Sequence, residues 1–226
     1  MKKLFLPLIL FSLITFSSFS QENNVSFGIN LGGTYSSIRG NGFANKNSSD
    51  LDYLVGISLK YQLNDKFSLL GNINYENNTV FYDQIVRYDE NGNLVIYGCT
   101  FDNPNCAPTF KISTKFQYLT LPILIRYNFD EFFNDFFING GVFISYLIDT
   151  SNYIDGEKND LDFNSLFKRF NSGLSMGIGY QIEINAKIKL NLELRDNFGL
   201  INISNTTLIG SSIKSNSINL IANINL

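Results

Sequence analysis

The chain has 226 residues, with 17 Lys and Arg against 20 Asp and Glu, no His, no Trp, two Cys, 21 Phe and 12 Tyr. That length suits one all-β domain. Mean hydropathy is zero and no run of about 18 apolar residues lies beyond the N-terminus, which argues against transmembrane helices. No basic stripe marks a nucleic-acid surface, and without His no Ser-His or His-Asp catalytic pair can be assembled.

Residues 1–20 have the form of a signal peptide. Lys2 and Lys3 precede the apolar stretch Leu4 to Phe16, and Ser18-Phe19-Ser20 supplies small residues for cleavage before Gln21. Export is therefore expected, with residues 21–226 as the mature domain. Losing Lys2 and Lys3 leaves 15 basic against 20 acidic side chains, a net of about −5.

The mature chain alternates apolar and polar residues in successive stretches. The first strand is Val25 to Ser36, with Val25, Phe27, Ile29, Leu31, Gly33 and Tyr35 on one face. A Gly-, Asn- and Ser-rich loop covers Ser37 to Asp50. Leu51 to Gln62 is the second strand, and Asn64-Asp65 turns tightly into a third over Phe67 to Glu76.

Asn77 to Ser113 reads as the longest connection, with a turn signal at Asp89 to Asn93 and a small hairpin through Leu94 to Tyr97. Cys99 and Cys106 lie in it. In an exported chain with two cysteines, a disulfide closing this loop is the expected pairing. A redox or metal site lacks a CxxC spacing and any His.

The fourth strand is Phe116 to Tyr127, where Pro122 predicts a bulge or local irregularity. The fifth is Phe136 to Ile148, followed by a polar loop from Asp149 to Phe167. Asn171 to Ile184 forms the sixth, and Asn185-Ala186 turns into Lys187 to Phe198, the seventh. Here Ile188, Leu190, Leu192 and Leu194 alternate strictly with Lys189, Asn191, Glu193 and Arg195. Ile201 to Ser212 is a loop, and Ile213 to Leu226 is the eighth strand.

A soluble sheet and a membrane barrel share this alternation, and the connections separate them. Short and long connections alternate without exception, which a sandwich has no reason to do. An outer-membrane barrel has short periplasmic turns and long external loops. The expected fold is an all-β, eight-stranded antiparallel up-and-down transmembrane β-barrel. Tyr35, Tyr53, Tyr61, Tyr75, Tyr127, Tyr146 and Tyr180 fall near strand ends, as interfacial girdles require.

In that fold Lys60, Glu76, Arg126, Glu193 and Arg195 face the lumen. Eight strands enclose only enough space for side chains, so these charges are expected to pair as an ion network plugging the interior. Gly28, Gly32, Gly56, Gly141, Gly173, Gly177 and Gly179 also face inward and relieve crowding or set curvature. A conducting path through the same charges is the alternative. Asp155 to Asp162 offers hard oxygens without the spacing of a calcium loop. No cofactor and no catalytic activity are expected.

Four stretches together resemble the PorT-like outer-membrane β-barrel proteins, often called the porin family. They are Tyr118-Leu119-Thr120-Leu121-Pro122, similar to that family's Y-L-x-x-P strand; Asn139 to Leu147; Gly173 to Tyr180; and Leu194-Arg195 with Gly199-Leu200-Ile201-Asn202-Ile203. Asn171 stands near the point where the family's strand usually opens with Asp, Asp196 takes the place of the aromatic that often follows the strand-seven Arg, and the last residue is Leu226 where outer-membrane barrels favour Phe. The resemblance implies the outer membrane of a Gram-negative bacterium and, for one branch, an accessory role in type IX protein secretion. The expected partners are outer-membrane lipid and lipopolysaccharide, with a surface ligand or a secretion-machinery protein as further candidates. Surface binding through external loops leads; small-solute conduction and the secretion role are the alternatives.

Overall fold

A computed structural model describes residues 24–42, 44–88, 94–96, 109–129, 135–159, 163–185, 188–206 and 212–225. The expected signal peptide and the Cys99–Cys106 pair lie outside the described residues. Among the described residues ten strands form the sheet: β1 (Val25–Arg39), β2 (Ser48–Gln62), β3 (Phe67–Tyr88), β4 (Leu94–Ile96), β5 (Thr109–Asn128), β6 (Phe136–Ile154), β7 (Glu157–Asn159), β8 (Phe170–Glu183), β9 (Lys189–Gly199) and β10 (Lys214–Asn225).

Eight of them close a ring in the order β2-β1-β10-β9-β8-β6-β5-β3, with β3 returning to β2; β4 and β7 are short flanking strands. All pairings are antiparallel. The ring is staggered. From Asn30 one path runs through Gly56, Asn74, Thr120 and Ser145 to Asn171. The other runs through Asn223 and Asn191 to Gln181. The two paths meet on β8 ten residues apart, the shear that tilts the strands of a closed barrel.

Burial is inverted relative to a soluble protein. Among the described residues forty large apolar side chains are exposed, while fourteen large ones and Ala44 are buried. An exposed apolar surface of that extent requires a nonaqueous solvent, and it forms a band around the barrel wall. Aromatic residues rim the band at both ends. Tyr61, Phe67, Tyr127, Phe136 and Tyr180 lie at the short-turn end, where Phe67–Tyr127 and Phe136–Tyr180 ring centroids are 5.2 and 4.9 Å apart. Tyr35, Tyr53, Tyr75 and Tyr146 lie toward the loop end, with Phe170 packed 5.2 Å from Tyr146.

Asparagine shapes the tight turns. The Asn64 side-chain oxygen accepts from Lys66 N and Phe67 N at 3.0 and 2.9 Å, bending β2 into β3. Asn185 accepts from Ile188 N at 2.8 Å to bend β8 into β9.

The loop end differs from the sequence expectation. Much of the segment expected as a connection from Asn77 to Ser113 is strand: β3 continues to Tyr88 and β5 begins at Thr109. Val80, Phe81, Tyr82, Ile85 and Val86 carry enough β-branched and aromatic character to extend the ladder past Asn77-Asn78. The expected hairpin is present as β4, which pairs with Val86–Tyr88. Likewise β6 runs on to Ile154 and pairs with β7. Together β4, β3, β5, β6 and β7 raise a sheet above the loop end. Pro122 pairs with Phe143 of β6, while the β3–β5 pairing skips between Gly71–Ile123 and Asn74–Thr120, beside the residue lacking an N–H. The β5–β6 bulge lies elsewhere, between Gln117 and Tyr118.

Candidate functional site

The lumen holds all five charged residues singled out from the sequence, and they do not form one ion network. Arg195 donates to both Glu193 oxygens, Nε to Oε1 at 2.8 Å and Nη2 to Oε2 at 2.7 Å. Both side chains are buried, and the two-pronged geometry suits a guanidinium on a carboxylate. Arg126, only 1% exposed, binds asparagines instead: Nε donates to Asn139 Oδ1 at 3.1 Å and Nη1 to Asn191 Oδ1 at 3.0 Å. Its guanidinium lies 3.6 Å over the Phe137 ring centroid.

Glu76 accepts from Thr120 Oγ1 at 3.1 Å and is approached by Asn74 Nδ2 at 3.5 Å. Lys60 lines a small lumen cavity with Arg126, Glu193 and Arg195. With every group ionised, these three cations and two carboxylates leave one positive charge in the bore.

Asparagine connects these groups. Asn191 Nδ2 donates to Asn223 Oδ1 at 3.2 Å, and Asn223 Nδ2 donates to Asn30 Oδ1 at 2.6 Å and Ser58 Oγ at 2.7 Å. Asn30 Nδ2 donates to Asn74 Oδ1 at 2.9 Å, and Thr120 shares a 2.9 Å hydrogen bond with Ser145. The circuit from Asn139 through Arg126, Asn191, Asn223, Asn30, Asn74, Glu76 and Thr120 to Ser145 leaves β6 and returns to it. With Ser58 it touches seven of the eight barrel strands. An amide both donates and accepts, so it can relay bonds across a lumen where charge alone would need a counter-charge each time.

Two glycines make room. A Cβ on Gly179 would overlap the Phe137 ring, and one on Gly177 would overlap Glu193. After packing, the cavity lined by Lys60, Arg126 and their neighbours measures about 10 Å³, at or below one water molecule.

Above the circuit the lumen changes character. Ile38, Ala44, Val80, Phe116, Tyr118, Leu147, Phe167, Ile203 and Ile213 form one buried apolar cluster, with Phe163 and Leu166 packed against it. Phe116 and Phe167 meet edge to face at 4.8 Å. Strands supply Ile38, Val80, Phe116, Tyr118 and Leu147. The connections supply Ala44, Phe167, Ile203 and Ile213, so the external loops fold into the barrel mouth. The Phe167–Ser204 bridge and the bond from Lys168 N to Ile203 O at 2.7 Å pin two of those loops together.

In the sequence the charges stand out, and the asparagines and the apolar cap do not stand out beside them. Asn30, Asn72, Asn74, Asn191, Asn219, Asn223 and Asn225 all occupy the polar phase of predicted strands, a signal that was present. Asp155 of the acidic segment sits in the β6–β7 turn and accepts from Lys111 N at 2.8 Å. Among the described residues no cluster of His, Cys, Asp and Glu is able to hold a metal ion.

Comparison with known proteins adds the lineage. Residues 19–205 match the model of the outer membrane protein beta-barrel domain. The chain belongs to that family. It is a protein of the Gram-negative outer membrane. Solved structures similar to it include Ail, the attachment invasion locus protein of Yersinia pestis, at 12% identity and TM-score 0.42, covering 90% of this chain and 99% of that one. Neisserial surface protein A matches at 16% identity and TM-score 0.42, covering 89% and 97%. The outer membrane protein OprG from Pseudomonas aeruginosa matches at 17% and 0.41, covering 89% and 95%. No curated protein matches the sequence.

Proposed function

We propose that this family member is a sealed outer-membrane barrel that serves as a rigid mount for surface binding, rather than a channel or an enzyme. The observation that supports this reading is the packing of the lumen, with an asparagine circuit below and an apolar cap above. A solute path would have to break a chain of buried hydrogen bonds and then cross a desolvated aromatic cluster. The external end, by contrast, carries a raised sheet whose strands are longer than a membrane crossing needs: 22 residues in β3, 20 in β5 and 19 in β6. Extra strand outside the membrane costs chain entropy and adds no anchoring, so recognition is its use. The absence of any His is in keeping with a binding role. The narrower PorT-like assignment, with a secretion role, rests on the sequence motifs alone.

A photo-crosslinking residue placed at Tyr153, in the raised part of β6, is the direct test in living cells. We expect adducts with a second macromolecule there, and lipid adducts only from the same probe at Leu220 on the barrel wall. Lipid alone or nothing at Tyr153 would contradict the surface-binding role.

A further inference from the structure

The charged groups at the loop end are unevenly arranged. On the β2–β5 side, Lys111 pairs with Asp50 at 3.1 Å and Lys115 with Asp52 at 3.2 Å. Around β8, β9, β10 and β1 the described charges are Lys168, Arg169, Lys214 and Arg39 against one carboxylate, Asp196; the nearby carboxylate of β6, Asp149, is engaged by the Asn164 amide at 2.9 Å. Arg39 is occupied there: Nη2 donates to Gly199 O at 2.7 Å and the guanidinium lies 3.8 Å over the Phe198 ring. Among the described residues neither Lys168 nor Arg169 forms an ion pair. Arg169 meets Tyr146, with Nη1 donating to its OH at 3.4 Å and the guanidinium 5.9 Å from its ring centroid.

Those two cations border a cavity of about 740 Å³ between the segment before β8 and the segment after β9, also lined by Phe167, Phe170, Ile201 and Asn202. The backbone explains it. Leu200 N bonds Ser172 O at the end of the β8–β9 ladder, and Lys168 N bonds Ile203 O farther out. Between these two bonds the chains splay. Phe170, 62% exposed, and Ile201 form the membrane-side wall, continuous with the apolar band through Leu200. The cavity is therefore cationic on its outer side and apolar on its inner side, at the level of the upper aromatic rim.

We propose that this cavity binds lipopolysaccharide of the outer leaflet, with Lys168 and Arg169 on its phosphate groups and Phe170 and Ile201 against its acyl chains. Guanidinium and ammonium groups suit phosphate oxygens, and an exposed aromatic beside them suits hydrocarbon. A soluble anion would make no use of the apolar wall. The site is separate from the raised sheet and does not depend on its role.

The test uses the full-length refolded protein in detergent, with bound lipid read by native mass spectrometry. It is titrated with bisphosphorylated lipid A, with the same lipid stripped of both phosphates, and with inorganic phosphate. The variants are K168Q/R169Q and, as a control at the paired rim, K111Q/K115Q. Removing two membrane-surface cations is expected to weaken lipid A binding roughly thirtyfold. The dephosphorylated lipid should bind the unaltered protein about as weakly, and the control pair should change binding less than about twofold. Equal binding of both lipids, or equal losses in both variants, would overturn the proposal. So would inorganic phosphate binding as tightly as lipid A, since the site would then be one for free anions. Heat-modifiable migration verifies folding of each variant, and K168Q and R169Q singly replace the pair if it misfolds.

Discussion

The two halves of the lumen are packed by opposite physics. Toward the short turns, strand residues fill it with directional bonds among Arg126, Asn191, Asn223, Asn30 and Asn74. Toward the loops, Phe116, Phe167, Ile203 and Ile213 fill it by apolar burial. The location of each follows from what supplies it. A strand's inward residues are fixed in position to within a fraction of an ångström by the ladder, which hydrogen bonds need. Loops are placed less rigidly, and dispersion and burial tolerate that because they are non-directional. The polar half should therefore be most brittle where a buried charge loses its partner, and the cap should yield more gradually.

Arg195→Ala gives the largest expected effect. It leaves Glu193 buried without its guanidinium, and urea unfolding in micelles should show a loss of about 3–5 kcal/mol. Replacing both, as Glu193→Leu with Arg195→Met, should recover most of it, because no uncompensated charge remains. Phe167→Ala should cost about 3 kcal/mol in the same assay, at the low end for a buried Phe because its loop can partly collapse into the space. Asn223→Ala removes a group bonded to Asn191, Asn30 and Ser58, and should cost about 1–3 kcal/mol by stranding buried partners. Lys111→Ala, which breaks the rim pair with Asp50, should cost less than about 1 kcal/mol and lose even that in high salt. If Asn223→Ala proves harmless while Phe167→Ala is severe, the division between a brittle and a yielding half is wrong.

The fold was legible wherever a face alternated. The run from Ile188 to Arg195, with aliphatic residues opposite Lys, Asn, Glu and Arg, is a barrel strand in plain form, and β9 covers nearly the same span. Strand ends above the membrane were harder to read. Asn77-Asn78 looks like a turn, because asparagine favours turns in isolation, yet both residues continue the β3 ladder opposite Gln117 and Phe116. The same bias hid the lumen circuit: Asn30, Asn191 and Asn223 read as neutral polar positions, and their bonds join strands far apart in sequence. The cap residues Phe163, Leu166, Phe167 and Ile203 carry no periodicity, since they sit in loops. Their role depends on three connections converging on one mouth, which no local pattern records.

Closure of the lumen is the central claim, and conductance tests it most directly. The refolded protein, verified as a heat-modifiable barrel, is inserted into a planar bilayer alongside Phe116→Ala/Phe167→Ala and Arg126→Ala. Silence is expected from the unaltered protein and from each variant, since removing either closure leaves the other intact. Discrete, reproducible current steps from the unaltered protein would contradict it, and would mean that an ion path runs through the asparagine circuit and the cap together.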